Sequence, residues 1–243
     1  MAHAARMADG ELLVELAGVS KDYRGLRPLR IQRLELRAGE SIALLGVDAA
    51  MAEVLVSLIT GAQLPDEGEV RVFGRATGSI TSVDDWVAAL DHFGLISDRA
   101  VLVDQFTAEQ NLALPISLDV DAIPEPVRDE VQRLASEVGL SAGAMALPTA
   151  ALTPTDQLRL RLGRALAMRP RVLLAEHPNA LLSREESPRF AKDLLRVSRD
   201  RGLATLVMTA DATFAAGAAD TVLELQPATG AVKRRSGLRR WFS

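Results

Sequence analysis

Any chemistry in this chain has to come from a few short clusters. Between residues 40 and 61 the sequence reads ESIALLGVDAAMAEVLVSLITG. There Gly46, Asp48, Ala49, Met51, Ala52, Glu53 and Val54 sit where an apolar run gives way to a helical pattern. Backbone N–H groups at such a helix N-terminus can cradle an anion. A phosphate-binding loop in this frame reads G-x-x-x-x-G-K-[ST]. Counting from Gly46 puts Met51 at the second glycine, Ala52 at the lysine and Glu53 at the hydroxyl that holds magnesium. Met51 brings bulk where backbone must approach the ligand, Ala52 deletes the cation, and Glu53 adds negative charge. Each lost charge-assisted hydrogen bond costs roughly 1.5–3 kcal/mol, or one to two powers of ten in affinity. Asp48 is placed to cap the helix with its own carboxylate. An ordinary βα turn without a ligand accounts for the stretch equally well.

The elements that must position these residues follow from the hydrophobic pattern. Ser41–Leu45 is apolar without a helical period, as in a strand buried on both faces of a parallel sheet. Val54, Leu55, Leu58 and Ile59 fall at helical spacing, and Gly61 sits where a helix stops. Residues 12–16 and 34–36 alternate like strands of a small antiparallel sheet, joined through a basic turn at 23–30. Residues 65–74 read as a turn and an edge strand. Helical stretches at 85–93, 107–114 and 126–138, linked by proline-bearing loops, predict a helical insertion over about 83–160. A helix at 153–168, a strand at 171–175, a helix at 187–201 and a strand at 204–208 restore the βα alternation of a parallel sheet.

Composition narrows the function. The 243 residues carry a net charge of −4, which gives no general nucleic-acid signal, and hold no cysteine, which excludes disulfides and thiolate chemistry. The first residues lack the apolar core of a signal peptide, and no apolar run reaches the length of a membrane span. A cytoplasmic protein is expected, peripheral at the inner face of the cell membrane.

Residues 152–182, LTPTDQLRLRLGRALAMRPRVLLAEHPNALL, set a short polar motif, a helix, an apolar strand and a loop in an order that resembles the ATP-binding subunit of ABC transporters. The resemblance runs over about residues 11–225, between a lead at 1–10 and a basic tail at 226–243. It implies an α/β fold: a P-loop NTPase-like parallel sheet core with an antiparallel β subdomain and an inserted helical subdomain. It also implies ATP and magnesium as ligands if the site is used, and a membrane permease or an intact ABC ATPase subunit as partner, with dimerisation possible. By the same resemblance, Tyr23 falls at the aromatic that stacks on adenine. Asp98 falls at the glutamine that contacts magnesium and couples to the membrane partner. Thr153, Pro154, Thr155 and Asp156 follow Leu152 in place of the signature motif. Glu176 takes the place of the Walker B aspartate, His177 that of the catalytic glutamate, Leu182 that of the D-loop aspartate and Ala210 that of the switch histidine.

Each residue also has a plainer reading. Tyr23 can be a half-buried strand aromatic, Asp98 a solvated loop charge, and His177 a surface residue or a metal ligand beside Glu176. Thr153 fits an N-cap, Pro154 the first helical position and Asp156 the third, an arrangement that satisfies the helix end internally. Pro154 has no N–H to offer an anion. Lys233, Arg234, Arg235, Arg239 and Arg240, followed by Trp241 and Phe242, suit either a solvated tail or contact with an anionic membrane. The leading expectation is a catalytically degenerate, structural or regulatory relative of the ATPase subunit. The alternatives are a subunit that still binds ATP and supports transport in a heterodimer, and an α/β domain with a different ligand.

Overall fold

The alternation of side chains along three parallel strands divides the interior in two. In β3 (Ser41–Leu45), β7 (Val172–Glu176) and β8 (Ala204–Met208), Ile42, Leu44, Val172, Leu174, Leu206 and Met208 face one core. Ala43, Leu45, Leu173, Ala175 and Val207 face the other. The side-chain period of two explains why these strands read as unbroken apolar runs, since both faces are covered. The computed structural model describes residues 10–235.

These strands belong to a six-stranded sheet of order β10-β9-β3-β8-β7-β6, completed by β6 (Phe93–Ile96), β9 (Thr221–Gln226) and β10 (Ala231–Arg234). All neighbours are parallel except β9 and β10. A second, antiparallel sheet has the order β2-β1-β4-β5, from β1 (Leu12–Lys21), β2 (Leu29–Arg37), β4 (Glu67–Val72) and β5 (Arg75–Ala76). Between the sheets lies α1 (Ala49–Ile59), whose Leu55, Leu58 and Ile59 are fully buried with Leu16, Leu29 and Ile31. Burial of such a side chain contributes about 1.5–3 kcal/mol.

The other face of the main sheet is covered by α6 (Pro154–Ala167), α7 (Ser187–Asp200) and α8 (Ala212–Ala218), and α4 (Glu125–Val138) packs on α6. Shorter helices α2 (Val83–Leu90), α3 (Ala108–Ala113) and α5 (Ala142–Met145) fill the connections. The α/β fold expected from the sequence, a parallel core beside an antiparallel sheet, is the observed one.

Several expectations need correction. The helix expected at 85–93 is α2, which starts at Val83 under a cap from Ser82 (Asp85 N–H to Oγ, 3.0 Å) and ends at Leu90. Phe93 instead opens β6, which pairs with β7 from Phe93↔Val172 to Ile96↔Ala175, so a strand of the main sheet lies inside the stretch expected to be helical. Four residues are too short to show a period. Gly94 is what lets α6 lie on that strand, because a Cβ there would sit 2.6 Å from the Ala165 carbonyl oxygen. The tail expected from residue 226 begins as structure, since β9 and β10 form a hairpin and place Lys233 and Arg234 in a strand. Arg239 and Arg240, with the lead at residues 1–9, lie outside the described residues.

Candidate functional site

The glycine turn after β3 has the expected frame. Gly46 has φ +81°, and a Cβ there would sit 2.3 Å from the Leu225 carbonyl oxygen, so sterics and conformation both demand glycine. Asp48 is the N-cap of α1, its Oδ1 accepting the Met51 N–H at 2.8 Å. The carboxylate thus takes one of the orphan donors that an anion would otherwise use. Ala49 opens the helix, and Ala52 and Val54 are buried in its core face. The Met51 side chain does not overhang the turn as its position in the motif suggested. It is only 6% exposed and packs into the core between the sheets, because the helical phase turns it inward.

Glu53, one position on, faces out of the helix toward a cation absent from the sequence reading. Arg99, in the loop after β6, donates to Glu53 Oε1 at 2.9 Å and, through its other terminal nitrogen, to Glu176 Oε1. Ser97 Oγ donates to Glu176 Oε2 at 2.8 Å and also accepts the Arg99 N–H at 3.1 Å. No lysine stands at Ala52, yet the carboxylates of Glu53 and Glu176 share the Arg99 guanidinium rather than being left without a cation. The Glu176 side chain is 9% exposed against 54% for Glu53. The Arg99–Glu176 arm therefore carries most of the energy, about 1.5–3 kcal/mol for a charge-assisted bond, while the exposed arm is worth roughly 0–1 kcal/mol.

The remaining expected site residues fall in two groups. Tyr23 is half-buried at the rim of the core between the sheets, where burial first and the Asp48 carboxylate second raise its phenol above the ordinary value of 10.0. Its phenol therefore senses the charge at the capped helix end. Asp98, Pro154, His177 and Leu182 gather around a second point, a cavity of about 20 Å³ that Gln157 and Arg161 also line. Asp98 takes no part in the ion pairs that join Glu53 and Glu176 through Arg99. Its side chain is 70% exposed, with Arg161 3.9 Å away. His177 adopts φ +42° and donates its backbone N–H to the Met208 carbonyl at 2.8 Å, while its buried Nε2 has no hydrogen-bond partner. Ala210 is exposed on the turn before α8.

At the start of α6, Thr153 caps the helix as expected. Its Oγ1 accepts the Asp156 N–H at 3.1 Å and donates to Asp156 Oδ2 at 2.9 Å, with Pro154 at the first helical position. Thr155 is buried and donates to Glu186 Oε1 at 2.6 Å, and Ser183 donates to Glu186 Oε2 at 2.8 Å. These hydroxyls, Thr155 first, hold the Glu186 carboxyl below its ordinary value of 4.5.

Sequence reasoning missed Arg99, Ser97 and Glu186, and it missed a fully buried asparagine. Asn111 accepts the Val103 N–H at 2.9 Å and donates to the Val103 carbonyl at 3.0 Å and to Thr149 Oγ1 at 2.8 Å, fixing the loop between β6 and α3. The only signal available was its polarity within an apolar helical stretch. Arg99 gave none, because its partners lie 46 and 77 residues away.

Comparison with known proteins places this architecture. A family model described as ABC transporter matches residues 29–180. The chain belongs to the ABC transporter family. This ABC-family chain is 30% identical over 207 residues to the lipoprotein-releasing system ATP-binding protein LolD of Gluconobacter oxydans, covering 84% of itself and 89% of that relative. It is 30% identical over 220 residues to the macrolide export ATP-binding/permease protein MacB of Salmonella choleraesuis, covering 88% of itself and 33% of that longer protein. Among solved structures, the dimeric ATP-binding cassette MJ0796, bound to ADP and Pi, superposes with a TM-score of 0.75 at 21% identity, over 93% of this chain and 100% of that one. That likeness concerns the fold alone.

Proposed function

We propose that this ABC-family chain is a noncatalytic subunit of a membrane transporter, a structural or regulatory counterpart of the ATP-binding subunits it is related to. The observation that carries the reading is the Arg99 guanidinium held between Glu53 and Glu176, with Asp48 capping the adjacent helix. Protein groups stand where a triphosphate and its metal would need lysine, hydroxyl and aspartate. Glu176 has both oxygens engaged, and His177 has a strained backbone and no carboxylate to activate water. A missing general base by itself slows turnover by about 10²–10⁴.

The partner is a permease or an intact ATPase subunit, and the contact surface is the loop at 98–115 with the start of α6. Beside that loop lies a cleft of about 200 Å³, lined by Phe93, Leu95, Leu102, Pro115, Arg164 and Met168. Among the described residues no helix is long and apolar enough to cross a membrane, so attachment would run through such a partner, with Lys233, Arg234 and Arg235 on the edge hairpin adding charge toward anionic lipid. The exposed start of α6 has no free N–H at Pro154 and carries the Asp156 carboxylate, so it serves poorly as an anion contact for a partner's nucleotide.

Co-expression with the neighbouring transporter genes tests this. The chain should co-purify with a permease or an ATPase subunit, and the assembly's ATPase activity should survive Tyr23→Ala in this chain, a change at the expected adenine contact and away from the 98–115 loop. Loss of that activity in the variant assembly would refute the reading.

A further inference from the structure

Arg99 joins two features that the proposed function treats separately, the vacated phosphate site and the cleft beside it. Its side chain reaches α1 through Glu53 and β7 through Glu176, while its own segment continues through Ala100 and Leu102, which line the cleft. The same loop is held from two other directions. Arg164 Nη1 donates to the Val101 carbonyl at 2.6 Å, and Asn111 brackets both backbone groups of Val103. Within the loop, the Ala100 N–H donates to the Ser97 carbonyl at 3.1 Å and the Phe106 N–H to the Val103 carbonyl at 3.0 Å.

We infer that Arg99 is a built-in ligand of the vacated site, a latch that holds the 97–106 loop, and with it one wall of the cleft, in a fixed docking position without nucleotide. The inference rests on the noncatalytic reading above only in calling the site vacated. The latch itself stands on the ion pairs. Charge complementarity specifies the occupant as a guanidinium: two carboxylates on different elements face one planar fork of donors, which an ammonium at the end of a flexible stem matches less well. The partner segment that enters the cleft would meet Phe93, Leu95, Leu102 and Met168 with Arg161 and Arg164 at its edge, and so fits a short apolar helix face carrying a carboxylate. A loop already held in place spares such a partner the ordering cost that a mobile loop would add to binding.

Hydrogen exchange on the full chain tests the latch. In the wild type, the amides of Ala100, Val103 and Phe106 should be protected, and adding Mg-ATP should leave them unchanged. Arg99→Gln should accelerate exchange across 97–106 by about ten- to a hundredfold, the range expected for losing the charge-assisted bond to Glu176, with α4 and α7 unaffected. Because Arg99→Gln leaves Glu176 without its cation, the double variant R99Q/E176Q serves as a second probe and should show the same local acceleration in a chain whose buried charge is also removed. Unprotected loop amides in the wild type, or unchanged exchange in both variants, would overturn the latch. The two readings fail separately. Calorimetric binding of Mg-ATP with the loop amides unaltered would sink the noncatalytic reading and support the latch, whereas a fast-exchanging loop with no nucleotide binding would sink the latch alone.

Discussion

Asp48 does two separable things, and Asp48→Ala and Asp48→Asn distinguish them. Its Oδ1 caps α1 through the Met51 N–H at 2.8 Å, and its charge raises the Tyr23 phenol, second to burial. Replacing an N-cap aspartate by alanine removes about 1 kcal/mol, whereas asparagine keeps the acceptor. For a chain of this length 1 kcal/mol corresponds to roughly 2–4 °C in Tm. Differential scanning calorimetry should therefore show Asp48→Ala lowered by that amount and Asp48→Asn near the wild type. Tyr23 is the only tyrosine in the chain, so phenolate absorbance reports it without assignment. Both variants should titrate Tyr23 at lower pH than the wild type, still above the ordinary 10.0 because burial, the larger cause, remains. The sign for stability follows. Burial and the Asp48 charge raise the phenol by opposing the phenolate, so the folded state keeps its full stability below about pH 10 and loses it as pH rises through the folded value, and both variants lose less over that window. Equal Tm values for all three proteins would refute the cap, and an unmoved phenolate titration would refute the proximity of Tyr23 to the capped end.

Three further perturbations probe the frame of the site. Gly46→Ala forces a Cβ to within 2.3 Å of the Leu225 carbonyl oxygen at φ +81°, and should cost about 3 kcal/mol by urea denaturation. Asn111→Ala orphans the Val103 N–H, removes three backbone contacts and leaves a cavity at a fully buried site. It should cost about 2–5 kcal/mol by the same assay and loosen the 97–106 loop. Glu186, held below its ordinary 4.5 by Thr155 and then Ser183, contributes stability that is present above about pH 4.5 and lost as pH falls through its folded value. Glu186→Gln should flatten the acid limb of a circular-dichroism pH titration below that point, and an unchanged acid limb would show that the Thr155 contact is not formed in solution.

What the sequence disclosed and what it hid divide along the line between local and long-range interactions. The strand at Ser41–Leu45, the cap at Asp48 and the stop at Gly61 follow from neighbouring residues, because strand period, helix capping and a C′ glycine at φ +72° are local chemistry. The cap at Thr153 with Pro154 behind it was legible for the same reason. The strand Phe93–Ile96 was not, since its identity depends on the edge that β7 offers rather than on its own four residues. The hairpin of β9 and β10 was hidden by the same dependence and by the run of basic residues that dominates the end of the chain. Met51 illustrates a subtler failure. Its place in the motif was right, but helical phase, which the motif does not encode, directs its side chain into the core. Arg99 marks the largest gap. Residue types along the chain count charges one at a time, whereas the electrostatics of the site depend on a cation brought from another element to two carboxylates.

The central claim is that the protein's own groups occupy the phosphate and metal positions, and calorimetric titration of the purified wild-type chain with ATP and excess magnesium tests it most directly. The account predicts no saturable heat at millimolar nucleotide. A saturating isotherm with a micromolar Kd, abolished by Tyr23→Ala, would contradict it, because binding of that strength, about 8 kcal/mol, requires a phosphate and metal site that the Arg99 ion pairs and the Asp48 cap are said to have closed.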